Sequence, residues 1–280
     1  MTGFARPEFI ASIDWLADQL GRPDLRVIDA RWRPDGTGRT AWQAGHIPGA
    51  QHLDWAADLS QRADGEDALL LAGPAEITAS LARTGLGDGT TVVVYDDTGG
   101  LYAARTWWSL RAYGLDAVRV LDGGYPAWQD ADQPTTKVED EAVPVPFTAR
   151  LQTRMRLTTA DVRGLLGSPD VALIDARGPA EYRGLEGNAR RLGHIPGAIN
   201  VPAAALTLPG TQLLRDSRQL RDLLVRANLI RGRRMVCYDG AGILAAKLAF
   251  VLTLLGYDDV ALYDGGWTEW GERLELPVER

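Results

Sequence analysis

The first half of the chain alternates short apolar runs with longer amphipathic segments. Three runs rich in valine are typical of strands buried on both faces: Leu25–Asp29, Thr91–Tyr95 and Ala117–Leu121. Between the last two lies Ala103–Tyr113, in which apolar residues recur at helical spacing. Alternation of strands and helices predicts a parallel sheet covered by helices.

The second half shows the same alternation. Its apolar pattern predicts strands at Val171–Asp175, Arg234–Tyr238 and Val260–Tyr263, and a helix over Leu244–Leu255. In sheets of this class, ligand sites lie at the carboxyl ends of the strands, where loops lead into helices. We therefore predict an α/β fold and look for chemistry in those loops.

Three motifs of the first half recur in the second half, in the same order and 142 to 148 positions later. Gly45–Ala50 recurs as Gly193–Ala198, Val27–Arg31 as Leu173–Arg177, and Leu121–Gly124 with Trp128 as Tyr263–Gly266 with Trp270. Such a repeat indicates a tandem duplication. It predicts a first domain over residues 7–130, a linker over 131–153 and a second domain over 154–280, because the intervening stretch is polar and contains several prolines.

The composition of the chain argues against several classes of partner and of binding site. The chain has 30 basic and 37 acidic side chains, a net charge of −7, and no basic run, which argues against nucleic acid or an anionic membrane as the main partner. Its longest apolar stretch, Leu248–Gly256, is shorter than the ~20 residues of a membrane span. Met1–Leu20 lacks the apolar core of a signal peptide, so we expect a cytoplasmic protein. One cysteine and three histidines leave little scope for a metal site, and we expect no metal and no cofactor.

Two glycine-containing loops follow predicted strands and lead into predicted helices. The first is Asp96–Gly100 and the second is Asp239–Leu244. A tight turn that feeds a helix directs several backbone N–H groups at one point, and the helix dipole adds positive potential there. Such a cradle can hold an anion or lower the pKa of a thiol, although many glycine turns are only tight turns.

The doubled Gly-His-Ile-Pro-Gly-Ala motif and the sequence Tyr-Asp-Gly-Gly-Trp-Thr-Glu-Trp from Tyr263 resemble the two-domain rhodaneses, the thiosulfate and 3-mercaptopyruvate sulfurtransferases. The resemblance extends from about Trp15 to Val278. It implies two similar α/β domains, each a parallel sheet flanked by helices, with a site in the cleft between them. It also implies a catalytic cysteine that opens the loop of the second domain and cycles between thiol and persulfide.

The resemblance further implies substrate-binding residues. The loop of the mercaptopyruvate branch is similar to the one found here, whereas thiosulfate enzymes more often have basic residues at its second and third positions. Arg183 and Arg190 share the seven-residue spacing of two arginines in that branch, and guanidinium groups suit a carboxylate because they donate paired hydrogen bonds. Two solvated surface arginines are the alternative. The candidate substrate-binding residues are Arg183, Arg190, Gly240, Ala241, Gly242, Ile243 and Leu244.

His46 matches a histidine of the proton-transfer set proposed for the mercaptopyruvate branch, with Asp35 as its candidate partner. Because the same motif recurs at His194, the histidine is equally consistent with a turn cap in both domains.

The resemblance places the family's catalytic cysteine at position 239, and this chain has Asp239 there. Aligning the two halves on their Asp-Gly-Gly motifs puts Asp239 opposite Asp97 and Cys237 opposite Tyr95, inside a strand. Cys237 would then lie ~6.6 Å deeper than position 239, at ~3.3 Å per residue. A buried thiol away from the helix dipole is expected to have a raised pKa, so we interpret Cys237 as a small core residue and only a weak substitute nucleophile.

Two functions remain open at this point. The first is a working sulfurtransferase that takes sulfur from 3-mercaptopyruvate or thiosulfate and passes it to cyanide or to a thiol acceptor such as thioredoxin. The second is an inactive rhodanese scaffold that binds a small anion or a protein partner. A carboxylate such as Asp239 forms no persulfide and repels anionic donors, which favours the second.

Overall fold

The computed structural model describes residues 3–62 and 69–280. In the first half, strands β1, β7, β6, β2 and β3 form a parallel sheet in that order, and β4 pairs with β5 in an antiparallel ribbon. The elements are β1 (Ile10–Ala11), α1 (Ile13–Gln19), β2 (Leu25–Asp29), α2 (Gly38–Ala44), β3 (Ala50–His52), α3 (Trp55–Asp58), β4 (Ser60–Arg62), β5 (Leu69–Leu71), α4 (Pro74–Thr84), β6 (Thr91–Tyr95), α5 (Leu101–Ala112), β7 (Val118–Leu121) and α6 (Gly124–Asp130).

The second half repeats this topology. Its parallel sheet has the order β8, β12, β11, β9 and β10, which matches the first sheet strand for strand. The elements are β8 (Arg156–Leu157), α7 (Thr159–Leu165), β9 (Val171–Asp175), α8 (Pro179–Tyr182), β10 (Ile199–Asn200), α9 (Ser217–Arg226), β11 (Arg234–Tyr238), α10 (Ile243–Leu254), β12 (Val260–Tyr263) and α11 (Gly266–Trp270). The predicted fold, a duplicated α/β unit with a parallel sheet in each copy, is confirmed.

The sequence pattern located the buried strands closely and the helix starts less well. Strands β2, β6, β9, β11 and β12 have the predicted bounds, but α5 begins at Leu101, two residues before the predicted helix. The residue that precedes α5 is Gly100 and the one that precedes α10 is Gly242, and both have a left-handed backbone, with φ of +81° and +78°. Glycine adopts this conformation without the steric cost of a Cβ atom, and apolar periodicity carries no signal for it.

The two halves pack together through their central helices. Helices α5 and α10 contact each other and are buried on nearly all sides, and the ring of Trp107 meets that of Phe250 edge-on at 5.0 Å. One apolar cluster contains residues of both halves, while the opposite face of each sheet has a cluster of its own. Because both helices are buried on nearly all sides, they form the centre of the molecule.

The segment after α6 runs along the first half. Thr136 forms a backbone bridge with His46, the carbonyl of Pro146 accepts a hydrogen bond from the Asp88 amide, and the amide of Gln152 donates to the first half at 2.7 Å. The segment is extended and polar, as an interdomain linker would be. The limits 7–130, 131–153 and 154–280 stay predictions.

Candidate functional site

Backbone amides of the loop that follows β11 donate hydrogen bonds to the side chain of the loop's first residue, Asp239. Asp239 is 3% exposed, and its carboxylate accepts hydrogen bonds from the amides of Gly242 at 2.6 Å and Leu244 at 3.1 Å. Burial raises the pKa of Asp239, although those two hydrogen bonds and the nearby charge of Arg105 oppose the rise. The amide cradle predicted at the start of α10 therefore exists, and the Asp239 carboxylate occupies it.

The Asp-Gly-Gly motif at the end of β12 holds this loop down. The amide of Trp267 donates to the Asp239 carbonyl at 2.6 Å. Gly266 has φ of +56°, and a Cβ atom there would lie 2.4 Å from the same carbonyl oxygen, so this close approach requires glycine. The other predicted loop residues, Gly240, Ala241, Ile243 and Leu244, are half-buried.

The corresponding loop of the first half is closed in the same way. Asp96 accepts hydrogen bonds from four backbone amides, those of Thr98, Gly100, Tyr102 and Ala103, at 2.8–3.0 Å. Both loops thus satisfy their N–H groups with an aspartate that directly follows a strand.

The predicted correspondence between the two loops was wrong by one residue. Tyr95 pairs with Asp29 and Tyr238 with Asp175, so Tyr238 is the counterpart of Tyr95, and Asp239 is the counterpart of Asp96 rather than Asp97. The counterpart of Cys237 is accordingly Val94, not Tyr95. The first loop has one extra residue between its strand and its helix, which an alignment anchored on the later Asp-Gly-Gly motif hides.

Asp97, which the sequence alignment had matched to Asp239, forms an ion pair with Arg33 at 2.5 Å. It takes no part in closing its own loop.

Cys237 lies inside the second sheet. It pairs with Ile174 on one side and Leu262 on the other, and it is fully buried. Burial raises the pKa of its thiol, and the charge of Asp239 adds to the rise. At neutral pH this cysteine is a neutral core residue.

His46 is buried, and both ring nitrogens lie against backbone carbonyls. Nδ1 is 2.8 Å from the carbonyl oxygen of Trp42, and Nε2 is 3.1 Å from that of Val138. Asp35 accepts hydrogen bonds from Thr37 instead, so the expected pairing of His46 with Asp35 is absent. In the second half, Nδ1 of His194 contacts the Tyr182 carbonyl in the same manner, which fits a repeated turn-stabilising role.

Arg183 and Arg190 flank an irregular segment after α8. Both are exposed, and the backbone amide of Arg190 donates to Glu272 at 2.7 Å. Within residues 3–62 and 69–280, neither guanidinium has a hydrogen bond or ion pair, and the structure records no contact between either one and residues 239–244. The role of the two arginines in substrate binding stays a prediction.

A buried ionic cluster that could not be predicted from the sequence lies beneath the second loop. Arg105, from α5 of the first half, reaches across the interface and donates to Asp264 at 2.9 Å. The same carboxylate accepts from Arg156 at 2.9 Å and from the Leu71 amide at 2.7 Å. The available signal was the position of Arg105 between Ala104 and Trp107 in a helix predicted to pack on the sheet, since a buried charge needs a partner.

Comparison with known proteins assigns the family. The sequence model of the rhodanese-like domain family matches this chain twice, at residues 12–131 and 158–273. The chain is a member of the rhodanese family. A thiosulfate sulfurtransferase of Corynebacterium glutamicum is 35% identical over 99% of this rhodanese chain and 92% of its own. A probable 3-mercaptopyruvate sulfurtransferase of Pseudomonas aeruginosa is 38% identical over 94% and 95%.

A solved structure gives the same assignment. The crystal structure of SseA from Escherichia coli, described as showing the rhodanese fold and the catalytic mechanism of 3-mercaptopyruvate sulfotransferases, superposes with a TM-score of 0.84 at 29% identity, over 92% of this rhodanese and 98% of that chain. In the part of this chain that the structure describes, no helix is long and apolar enough to cross a membrane.

Proposed function

We propose that this rhodanese is a non-catalytic member of its family, in which Asp239 takes the position of the persulfide-forming cysteine. The observation that carries the proposal is the pair of hydrogen bonds from the Gly242 and Leu244 amides to the Asp239 carboxylate. A carboxylate has no sulfur with which to accept a sulfur atom. Its oxygens also fill the cradle that would otherwise stabilise a thiolate or persulfide.

The properties of Cys237 support the same proposal. Its thiol is fully buried within β11, and its pKa is raised, so the thiolate needed for attack is scarce. Reaching a substrate at the loop would require it to move outward by two residues of strand, about 6.6 Å. A displacement of that size would break the pairing of β11 with both of its neighbours.

Under this proposal, the rhodanese fold of this chain serves to bind a ligand rather than to transfer sulfur. The exposed guanidinium groups of Arg183 and Arg190 would hold a small anionic ligand, next to a loop formed by Gly240, Ala241, Gly242, Ile243 and Leu244. A protein partner is the other ligand consistent with this role. His46 supplies packing rather than proton transfer, because its ring nitrogens face backbone carbonyls.

A working sulfurtransferase is the second candidate, and the names of the relatives favour it. Proteins 33–38% identical to this chain are named 3-mercaptopyruvate or thiosulfate sulfurtransferases. Under this alternative, the donor would be 3-mercaptopyruvate or thiosulfate, the acceptor would be cyanide or a thiol such as that of thioredoxin, and Cys237 would have to become accessible. Resemblance of fold alone does not decide between the two.

Turnover assays on three proteins test the proposal. Pyruvate release from 3-mercaptopyruvate and sulfite release from thiosulfate, with cyanide as acceptor, are measured for the wild type, Cys237→Ser and Asp239→Cys. We expect no turnover by the wild type or by Cys237→Ser, and turnover by Asp239→Cys, because a thiol there would meet the loop amides. Wild-type turnover that disappears in Cys237→Ser would overturn the proposal.

A further inference from the structure

A cavity of about 420 Å³ lies between the two halves, next to the first loop. Its walls are formed by Thr98, Gly99 and Leu101, by the segment that follows β10, and by Leu244 and Lys247 of α10. Among the described residues, the lining includes two cationic side chains, Lys247 and Arg215, and no aspartate or glutamate. In a chain with a net charge of −7, such a lining is electrostatically distinctive.

Lys247 is a buried cation with few partners. Its residue is 3% exposed, and Nζ donates to the hydroxyl of Thr207 at 2.5 Å. Among the residues that the structure describes, no carboxylate lies within 4 Å of Nζ. An ammonium group has three N–H donors, and a buried charge needs acceptors for them, so donors remain for a further ligand.

The pseudosymmetry of the molecule shows why this lysine is unusual. Lys247 on α10 corresponds to Arg105 on α5, and Asp122 corresponds to Asp264. Arg105 and Asp264 form an ion pair at 2.9 Å. Asp122 instead accepts from the Leu214 amide at 2.9 Å and forms no ion pair with the lysine. One half therefore neutralises its buried cation directly, and the other leaves its cation facing a cavity.

The charges around Lys247 compensate its buried ammonium group only in part. Burial lowers the pKa of Lys247 to about 8, against the opposing influence of Asp96 and Asp122. Asp96 is engaged by the four backbone amides of its own loop. The half-buried Arg215 adds a second positive charge at the cavity wall, where its Nε donates to the Ala205 carbonyl at 2.8 Å.

We infer that this cavity binds a small organic carboxylate, whose charged end contacts Lys247 and Arg215. The hydroxyls of Thr98 and Thr207 supply further polar contacts, and Leu101, Leu208 and Leu244 accommodate a short apolar part. The buried hydroxyl oxygen of Thr98 has no hydrogen-bond partner within residues 3–62 and 69–280, which makes it a second unused polar group in this wall. Leu244 is also the last residue of the second loop, but the cationic groups of this site are Lys247 and Arg215 rather than Arg183 and Arg190, so the inference goes beyond the proposed function and does not depend on it.

The chain offers a matched control, because it contains only two lysines, Lys137 and Lys247. Lys137 is exposed and distant from the cavity lining. Lys247→Met removes the charge while keeping a long unbranched side chain, and Lys137→Met makes the same change at the surface.

Isothermal titration calorimetry with pyruvate as the probe tests the site, with the uncharged pyruvamide as the reference compound. We expect the wild type and Lys137→Met to bind pyruvate equally, pyruvamide to bind weakly, and Lys247→Met to bind pyruvate about tenfold more weakly, as loss of a charge-assisted hydrogen bond implies. Circular dichroism checks that each variant folds, and Arg215→Gln replaces Lys247→Met if the latter does not. Unchanged affinity in Lys247→Met, or no pyruvate binding by the wild type at millimolar concentration, would overturn the inference. Loss of binding in Arg183→Gln alone would also overturn it, because the ligand would then lie at the second loop.

Discussion

The buried carboxylate of Asp264 is expected to be the main ionic link between the two halves. It is 2% exposed, and it joins Arg105 of α5, Arg156 of β8 and the amide of Leu71. Substitution by asparagine preserves the shape and one acceptor oxygen but removes the negative charge. Arg105, which is fully buried, would then lose its counter-charge.

The cost follows from the burial of the arginine. Breaking a buried ion pair by removing one partner typically costs about 3–5 kcal/mol, because an uncompensated charge remains in the interior. Arg156 adds less, since it is 21% exposed and can turn toward solvent. For a chain of this size, such a loss lowers the Tm by on the order of 10 °C.

Urea unfolding and thermal scans of Asp264→Asn measure this cost. Its matched control is Asp122→Asn, which changes the pseudosymmetric carboxylate; this one accepts a hydrogen bond from the Leu214 amide and has no ion pair with any residue that the structure describes. Asparagine can still accept that hydrogen bond, so the control should lose about 1 kcal/mol or less. An Asp264→Asn variant no less stable than Asp122→Asn would show that the Asp264 charge does not stabilise the interface.

Two further predictions concern the other buried titratable groups. Iodoacetamide at pH 8 should not modify Cys237 in the native protein, because the thiol is buried and its pKa is raised, but should modify it fully in urea. Rapid labelling of the native protein, measured by mass spectrometry, would refute this. Folding lowers the pKa of Lys247 from 10.5 to about 8, so between these pH values the unfolded state binds more protons and stability should rise with pH. Relative to Lys247→Met, the wild type should therefore gain up to about 3 kcal/mol across that window, and parallel pH profiles of the two unfolding free energies would contradict the assignment.

Buried strands and the duplication could be predicted because they leave local signals. Runs such as Thr91–Tyr95 and Arg234–Tyr238 are apolar on both faces and short, and repeated motifs fix which strands correspond. Once the repeat is recognised, parallel sheets of equal topology follow from the connection rules for α/β units.

The loop geometry could not be predicted in the same way. Loop lengths are free to differ between the two copies, and one extra residue before Gly100 shifted the predicted partner of Asp239 by one position. The hydrogen bonds of Asp239 to its own loop depend on the left-handed backbone of Gly242, for which the apolar pattern has no signature.

Contacts across the interface also escaped prediction. Arg105 and Lys247 lie on helices whose periodicity identifies them as buried, yet sequence spacing says nothing about which carboxylate of the other half each one reaches. The roles of Arg183 and Arg190 came from resemblance to the family, and they remain predictions.

The most direct test of the central claim, that the second loop carries no sulfur, is intact-protein mass spectrometry after incubation with thiosulfate or 3-mercaptopyruvate. The wild type should keep its mass, whereas Asp239→Cys should gain the mass of one sulfur atom, removable by cyanide. A sulfur atom gained by the wild type and mapped to Cys237 would contradict the account, because it would show that the buried strand cysteine reaches the donor.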